Sequence, residues 1–143
     1  MPIDSTVIIA TYNRKGLLKK TLLALARQTS DTFDVIVASD GSSDGSKEMV
    51  LSLRSSLPYS IQWIEQEDDG FRKSLILNKA ALIAKGKQLV FLDDDCIPCL
   101  SFVSAHQQYF QANALVFAKF IGVRQKYRSL FEDSVIDSGE FER

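Results

Sequence analysis

Residues 89–95 read Leu-Val-Phe-Leu-Asp-Asp-Asp, four apolar residues that run directly into three carboxylates. The apolar half is short, continuous and bounded by polar residues, which is the pattern of a strand buried in a parallel sheet. Three aspartates at the carboxyl end of such a strand repel one another, and each raises its neighbours' pKa values. A bound divalent cation is the natural compensation for that cost. In an extended chain side chains alternate, so Asp93 and Asp95 are expected on one side and Asp94 on the other. The acidic triplet therefore reads as a site, where an isolated one would read as a solvated turn.

Working outward, the chain alternates strands and helices. Thr6–Ala10 is a β-branched run and the expected first strand. Arg14–Gln28 carries Leu17, Leu18, Thr21, Leu22 and Leu25 at helical spacing, with its lysines mostly elsewhere. Phe33–Ser39 is a second strand ending at Asp40-Gly41, and a helix follows from Ser42 to near Ser56. Ser60–Glu65 is a third strand, Phe71–Lys85 a helix stopped by Gly86, and Gln88–Asp93 the fourth strand. Phe102–Ala112 reads as a helix and Ala114–Val123 as an apolar strand. From Arg124 the sequence turns polar and loses periodicity. The division expected is a ligand-binding domain over 1–123 and a polar tail over 124–143.

Alternating strands and helices imply an α/β, doubly wound and mostly parallel sheet with helices on both faces. Ligands of such sheets bind beyond the carboxyl ends of the strands. Here those ends carry Thr11-Tyr12-Asn13-Arg14, Ser39-Asp40-Gly41 and Asp93-Asp94-Asp95. A nucleotide suits them, because Asp40 can accept hydrogen bonds from a ribose hydroxyl or a base N–H. Gly41 permits close backbone approach. The first strand–helix turn has no glycine-rich fingerprint, which argues against a dinucleotide fold.

Composition sets the outer bounds. With 143 residues, 45% hydrophobic and 24% charged, the chain suits one folded domain with a core. A net charge of −1 argues against nucleic acid as a partner. No run reaches the apolar length of a membrane span, and the start shows no signal sequence. A cytoplasmic location is expected, with peripheral membrane association left open. Cys96-Ile-Pro-Cys99 offers a rival reading as a redox dithiol. The acidic residues just upstream oppose the thiolate that such chemistry requires. A zinc site from Cys96, Cys99 and His106 lacks a fourth ligand.

Four motifs in order, Val-Ile-Ile-Ala-Thr-Tyr-Asn-Arg (7–14), Ala-Ser-Asp-Gly-Ser-Ser-Asp-Gly-Ser (38–46), Arg72 with Asn78, and Phe-Leu-Asp-Asp-Asp (91–95), resemble the family 2 glycosyltransferases. The resemblance runs from about Val7 to His106 and implies the GT-A fold and a nucleotide-activated sugar donor. It implies that Thr11, Tyr12, Asn13 and Arg14 line the nucleotide, with Thr11 and Tyr12 on the base, and that Asp40 holds base or ribose. Arg72 would engage the diphosphate, with Asp69 and Lys73 beside it. Asp93 would lie near ribose or sugar and share Mn²⁺ or Mg²⁺ with Asp95, the direct ligand, while Asp94 supports the site by hydrogen bonding. Asp69-Gly70-Phe71-Arg72-Lys73-Ser74 is similar to the form found with a galactosyltransferase-like C-terminal region. The implied activity is inverting transfer from a UDP-sugar to a carbohydrate or other hydroxyl acceptor. The family's catalytic base lies well beyond the metal motif. Only 48 residues follow Asp95 here, so the chain is expected to be the donor half of an enzyme, self-associating through an uncovered end. A non-catalytic nucleotide-sugar-binding module is the alternative.

Overall fold

The computed structural model describes residues 2–142. Four strands, β1 (Ser5–Thr11), β2 (Phe33–Ser39), β3 (Ser60–Glu65) and β4 (Gln88–Asp93), form one parallel sheet in the order β3-β2-β1-β4. Helices α1 (Lys15–Leu25), α2 (Ser46–Leu53) and α3 (Lys73–Ile83) connect them. Helix α4 (Phe102–Gln108) and a short α5 (Asp133–Ser138) follow.

The pleat of β1 explains the layers. Val7 and Ile9 face one side, where Leu18, Leu22 and Leu25 of α1, Val50 of α2 and Val103 of α4 close over them. Ile8 faces the other side and packs with Ile36, Ala38 and the α3 residues Ile76 and Ala80. Because β1 is covered on both faces, it is apolar throughout its centre rather than alternating. The chain builds outward from β1 to β3, then crosses back through α3 to place β4 on the other side of β1. That reversal makes the carboxyl ends of β1 and β4 a switch point, with Ala10 opposite Asp93.

Ala114–Val123, expected as a strand, is irregular and exposed. Leu115, Phe117, Phe120 and Ile121 are each more than 80% exposed. The run has β-forming side chains, but a strand exists only against a partner's ladder, and no described edge pairs with it. The polar stretch beyond it folds back instead. Ile136 of α5 is fully buried, and Asp133 Oδ2 lies 2.6 Å from Lys19 Nζ on α1. No helix among the described residues is long and apolar enough to cross a membrane.

Candidate functional site

Helix α1 begins just past β1, and the loop between them carries Tyr12, Asn13 and Arg14. Asn13 takes a left-handed conformation (φ 51°), which asparagine tolerates. Its side-chain oxygen accepts from the Ser43 N–H at 2.8 Å, and its own N–H donates to Ser42 Oγ at 3.0 Å. Asp44 completes this stitch between the first two loops. It accepts the Lys15 N–H at 2.7 Å and the Ser46 N–H and hydroxyl at 3.1 and 2.6 Å. Burial pushes the Asp44 carboxyl up, but these hydrogen bonds outweigh it and hold the group below its ordinary value. Asp44 thus serves the starts of both α1 and α2. In sequence it reads only as a helix-start signal.

Asp40, at the end of β2, is buried, and both of its oxygens are engaged. Oδ1 accepts from Gln66 Nε2 at 2.6 Å and Oδ2 from the Arg72 N–H at 2.8 Å. The carboxylate therefore fixes the loop that leads into α3. Gly41 (φ 92°) is required by that same loop, since a Cβ there would lie 2.6 Å from the Asp68 backbone. The close approach anticipated at Gly41 is made by the protein's own chain.

The 66–72 loop brings the remaining residues. Tyr12 is 46% exposed, so it is a lip residue rather than a core one, and its hydroxyl donates to Asp68 Oδ2 at 2.9 Å. That bond, followed by the charge of Asp68, raises the Tyr12 pKa. Arg72 is held by Glu67 O at 2.6 Å and by Asp69 Oδ2 at 3.3 Å. Its Nε is buried without a hydrogen-bond partner. Lys73, the first residue of α3, reaches across to Asp93 Oδ1.

At the end of β4 the extended chain gives way to a turn closed by the Cys96 N–H on Asp93 O at 3.1 Å. The alternation of buried and exposed residues along β4 continues into this turn, so Asp94 is buried while Asp93 and Asp95 are exposed, as the sequence predicts. Asp94 accepts the Thr11 hydroxyl at 2.7 Å and Arg14 Nη1 at 3.4 Å. Burial raises its pKa, against the opposing pull of Thr11 and Arg14. Arg14 Nη1 also meets Asp95 Oδ2 at 3.0 Å. Thr21, buried on α1, places its Oγ1 3.0 Å from Asp94 O and 3.1 Å from Cys96 O.

These contacts draw Thr11, Arg14, Asp93, Asp94, Asp95 and Lys73 into one cluster at the switch point. Asp40, Asp69, Arg72 and Tyr12 are joined to it through the 66–72 loop, and Asn13 sits behind as a staple. Gln66, Asp68 and Thr21 also shape the site, although no motif marks them. Asp93 pairs with Lys73 and Asp95 with Arg14, and the two exposed carboxylates are hard oxygen donors of the kind a divalent ion takes once those cations give way. Mg²⁺ commonly takes one or two carboxylates and completes its shell with water and substrate phosphates. Among the described residues no group of three or more His, Cys, Asp or Glu converges on an ion. The shell would accordingly need ligand oxygens.

The rival motif lies just beyond. Burial, then the charges of Asp95 and Asp93, push the Cys96 thiol up, away from the thiolate that dithiol exchange uses. His106 stacks edge-on against Phe102 with centroids 4.7 Å apart, and no zinc set forms with Cys96 and Cys99 among the described residues.

The family model described as "Glycosyl transferase family 2" matches residues 6–136, nearly the whole chain. The chain belongs to glycosyl transferase family 2. This family 2 chain is 42% identical over 90 residues to validoxylamine A glucosyltransferase of Streptomyces hygroscopicus subsp. jinggangensis (strain 5008), covering 62% of the chain and 21% of that protein. It is 33% identical over 104 residues to chondroitin synthase of Escherichia coli, covering 72% of the chain and 15% of that protein. Among solved structures, TarS of S. aureus superposes with TM-score 0.63 at 26% identity, over 74% of this chain and 19% of TarS. PcManGT, a mannosyltransferase from Pyrobaculum calidifontis in complex with GDP-Man and Mn²⁺, gives TM-score 0.59 at 28% identity, over 66% of this chain and 28% of its own. The parallel sheet with flanking helices is thus the GT-A-like architecture expected from sequence. The family 2 chain spans about a fifth of the length of the two validoxylamine A glucosyltransferases it matches.

Proposed function

We propose that this family 2 chain binds the nucleotide sugar donor of a glycosyltransferase, a UDP-sugar, together with Mn²⁺ or Mg²⁺. The observation that carries the reading is the joining of β1 and β4 ends by the Thr11–Asp94–Arg14 network, which leaves Asp93 and Asp95 facing outward. TarS in complex with UDP-GlcNAc is 30% identical over 65% of this chain and supports a uridine donor.

In this reading Tyr12, at the lip, lies against the base, and Asp40 holds base or ribose while fixing the 66–72 loop. Arg72 and Lys73 meet the diphosphate from the start of α3, where positive charge is otherwise unfavourable. Asp93 and Asp95 hold the divalent ion, which when bound supplies charge neutralisation at the departing diphosphate. Arg14 and Lys73 lie on those carboxylates and add cationic stabilisation where leaving-group charge develops. An acceptor hydroxyl, of a carbohydrate or another substrate, then attacks the anomeric carbon as the C–O bond to the diphosphate breaks, with inversion. A carboxylate from elsewhere in the whole enzyme takes the hydroxyl proton.

A thermal-shift panel of nucleotides with and without Mn²⁺ tests this. UDP with Mn²⁺ is expected to stabilise the chain most, by about 2.7 kcal/mol at a hundred times the dissociation constant. Asp95→Ala is expected to lose the metal-dependent part and keep its fold. Equal responses of wild type and Asp95→Ala to Mn²⁺ plus UDP would remove the metal assignment.

A further inference from the structure

Helix α1 faces the core with Leu18, Leu22, Ala24 and Leu25, all buried, and in their midst is Thr21, fully buried as well. Valine would fill the same space without burying a hydroxyl, which is costly unless hydrogen-bonded. The hydroxyl therefore calls for a reason, and its neighbours supply one. Thr21 Oγ1 lies 3.3 Å from Leu17 O in its own helix, the usual local bond of a helical threonine. It lies closer, at 3.0 and 3.1 Å, to the carbonyls of Asp94 and Cys96. Those two carbonyls flank Asp95 in the chain.

Arg14 and Lys73 pair with the exposed Asp95 and Asp93 carboxylates of the acidic turn, and other contacts hold its backbone and interior. Its interior is closed by the Cys96 N–H on Asp93 O, and the Asp94 carboxylate is gripped by Thr11 and Arg14. Neither of these fixes the backbone on both sides of Asp95. Thr21 reaches both sides from α1, its single hydroxyl proton shared between the Asp94 and Cys96 carbonyls.

We propose that Thr21 is a positioning residue that sets the backbone carrying the Asp95 carboxylate, and through it the affinity of the acidic pair for a divalent ion. The inference rests on the donor-site reading above. Ligand carboxylates must be held to within about 0.5 Å of productive geometry by the groups behind them. Removing such a supporting partner typically lowers metal affinity by about 10- to 100-fold.

The test compares Thr21→Val, which keeps shape and loses the hydroxyl, with Thr21→Ser, which keeps the hydroxyl and loses a methyl. Calorimetry with UDP and with uridine, each with and without Mn²⁺, is paired with Mn²⁺ paramagnetic resonance in the presence of UDP. Thr21→Val is expected to weaken Mn²⁺-dependent UDP binding by about 10-fold or more, and to leave uridine binding unchanged. Thr21→Ser is expected to restore most of the loss. If Thr21→Val melts below the assay temperature, Thr21→Cys, similar in size and only a weak donor, carries the same expectation. Wild-type Mn²⁺ dependence in the folded hydroxyl-free variant would overturn the inference and leave the donor site standing. Equal losses for UDP and uridine would overturn it too, by reducing Thr21 to general packing. A wild-type chain whose UDP binding ignores Mn²⁺ would overturn both readings together.

Discussion

Asp94 is the residue on which fold and site meet. It is buried between Thr11 and Arg14, whereas its neighbours Asp93 and Asp95 are exposed. Asp94→Ala leaves the Thr11 hydroxyl without its partner in a buried place, at an expected cost of about 1–3 kcal/mol in unfolding experiments. Asp94→Asn separates charge from hydrogen bonding. Burial raises the folded pKa of Asp94, so its contribution to stability is fullest below the ordinary aspartate value and falls as pH rises through the raised one. Wild type is therefore expected to lose melting temperature relative to Asp94→Asn as pH climbs from about 4. Parallel melts over an acid-to-neutral series check the sign. A second pair of variants separates the nucleotide's parts. Arg72→Ala is expected to weaken UDP far more than uridine, and Asp40→Ala to weaken both alike. Calorimetry with equal losses in Arg72→Ala would move that side chain away from the phosphates. Three consecutive acids marked this spot in the sequence and alternation set Asp94 apart, but its partners Thr11 and Arg14 lie 80 or more residues earlier and are supplied only by the fold.

Elements meet through their loops, and two expectations belong there. Gly41 combines a positive φ with an approach to Asp68 that admits no Cβ. Gly41→Ala is expected to destabilise the chain by more than about 1 kcal/mol and to disturb the Asp40–Arg72 contact. A melt combined with UDP titration would register both effects. On α4, burial lowers the pKa of His106, so the folded state favours the neutral ring. The stability it contributes is present above about pH 6.5 and is lost as pH falls through the lowered folded value. His106→Gln is expected to flatten that acid-side decline, as thermal melts from neutral to mildly acid pH would show. The strand and helix order could be read from periodicity alone, yet helix ends moved inward by several residues. Arg72 illustrates why. Its N–H is satisfied by Asp40, just past the end of β2, so α3 begins where that tertiary bond sets it.

Across the whole molecule, apolar surface is unevenly distributed. The α3 side of β4 exposes Phe91 and Leu89, and the 114–123 segment exposes Leu115, Phe117, Phe120 and Ile121. Large exposed apolar side chains in such number favour association. The 143-residue chain is expected to show a mass that rises with concentration in light scattering. Replacing Phe117 and Phe120 with serine is expected to lower that mass, and an unchanged mass would exclude the segment as the cause.

The amino-acid sequence by itself determined the α/β class, the four parallel strands and the edge at which the acidic and basic residues gather. These follow from local periodicity and from the covering of both sheet faces, which leaves continuous apolar runs such as Val7–Ala10. Only the tertiary structure decided the duties within the site. Asn13 and Asp44 became staples between loops, Gly41 made room for Asp68, and Thr21 was bonded to the acidic turn. It also decided against a strand at Ala114–Val123, whose composition favours one. The reason is common to all of these cases: a hydrogen-bond partner or a sheet edge is a matter of position in space, and chain-local propensity does not contain it.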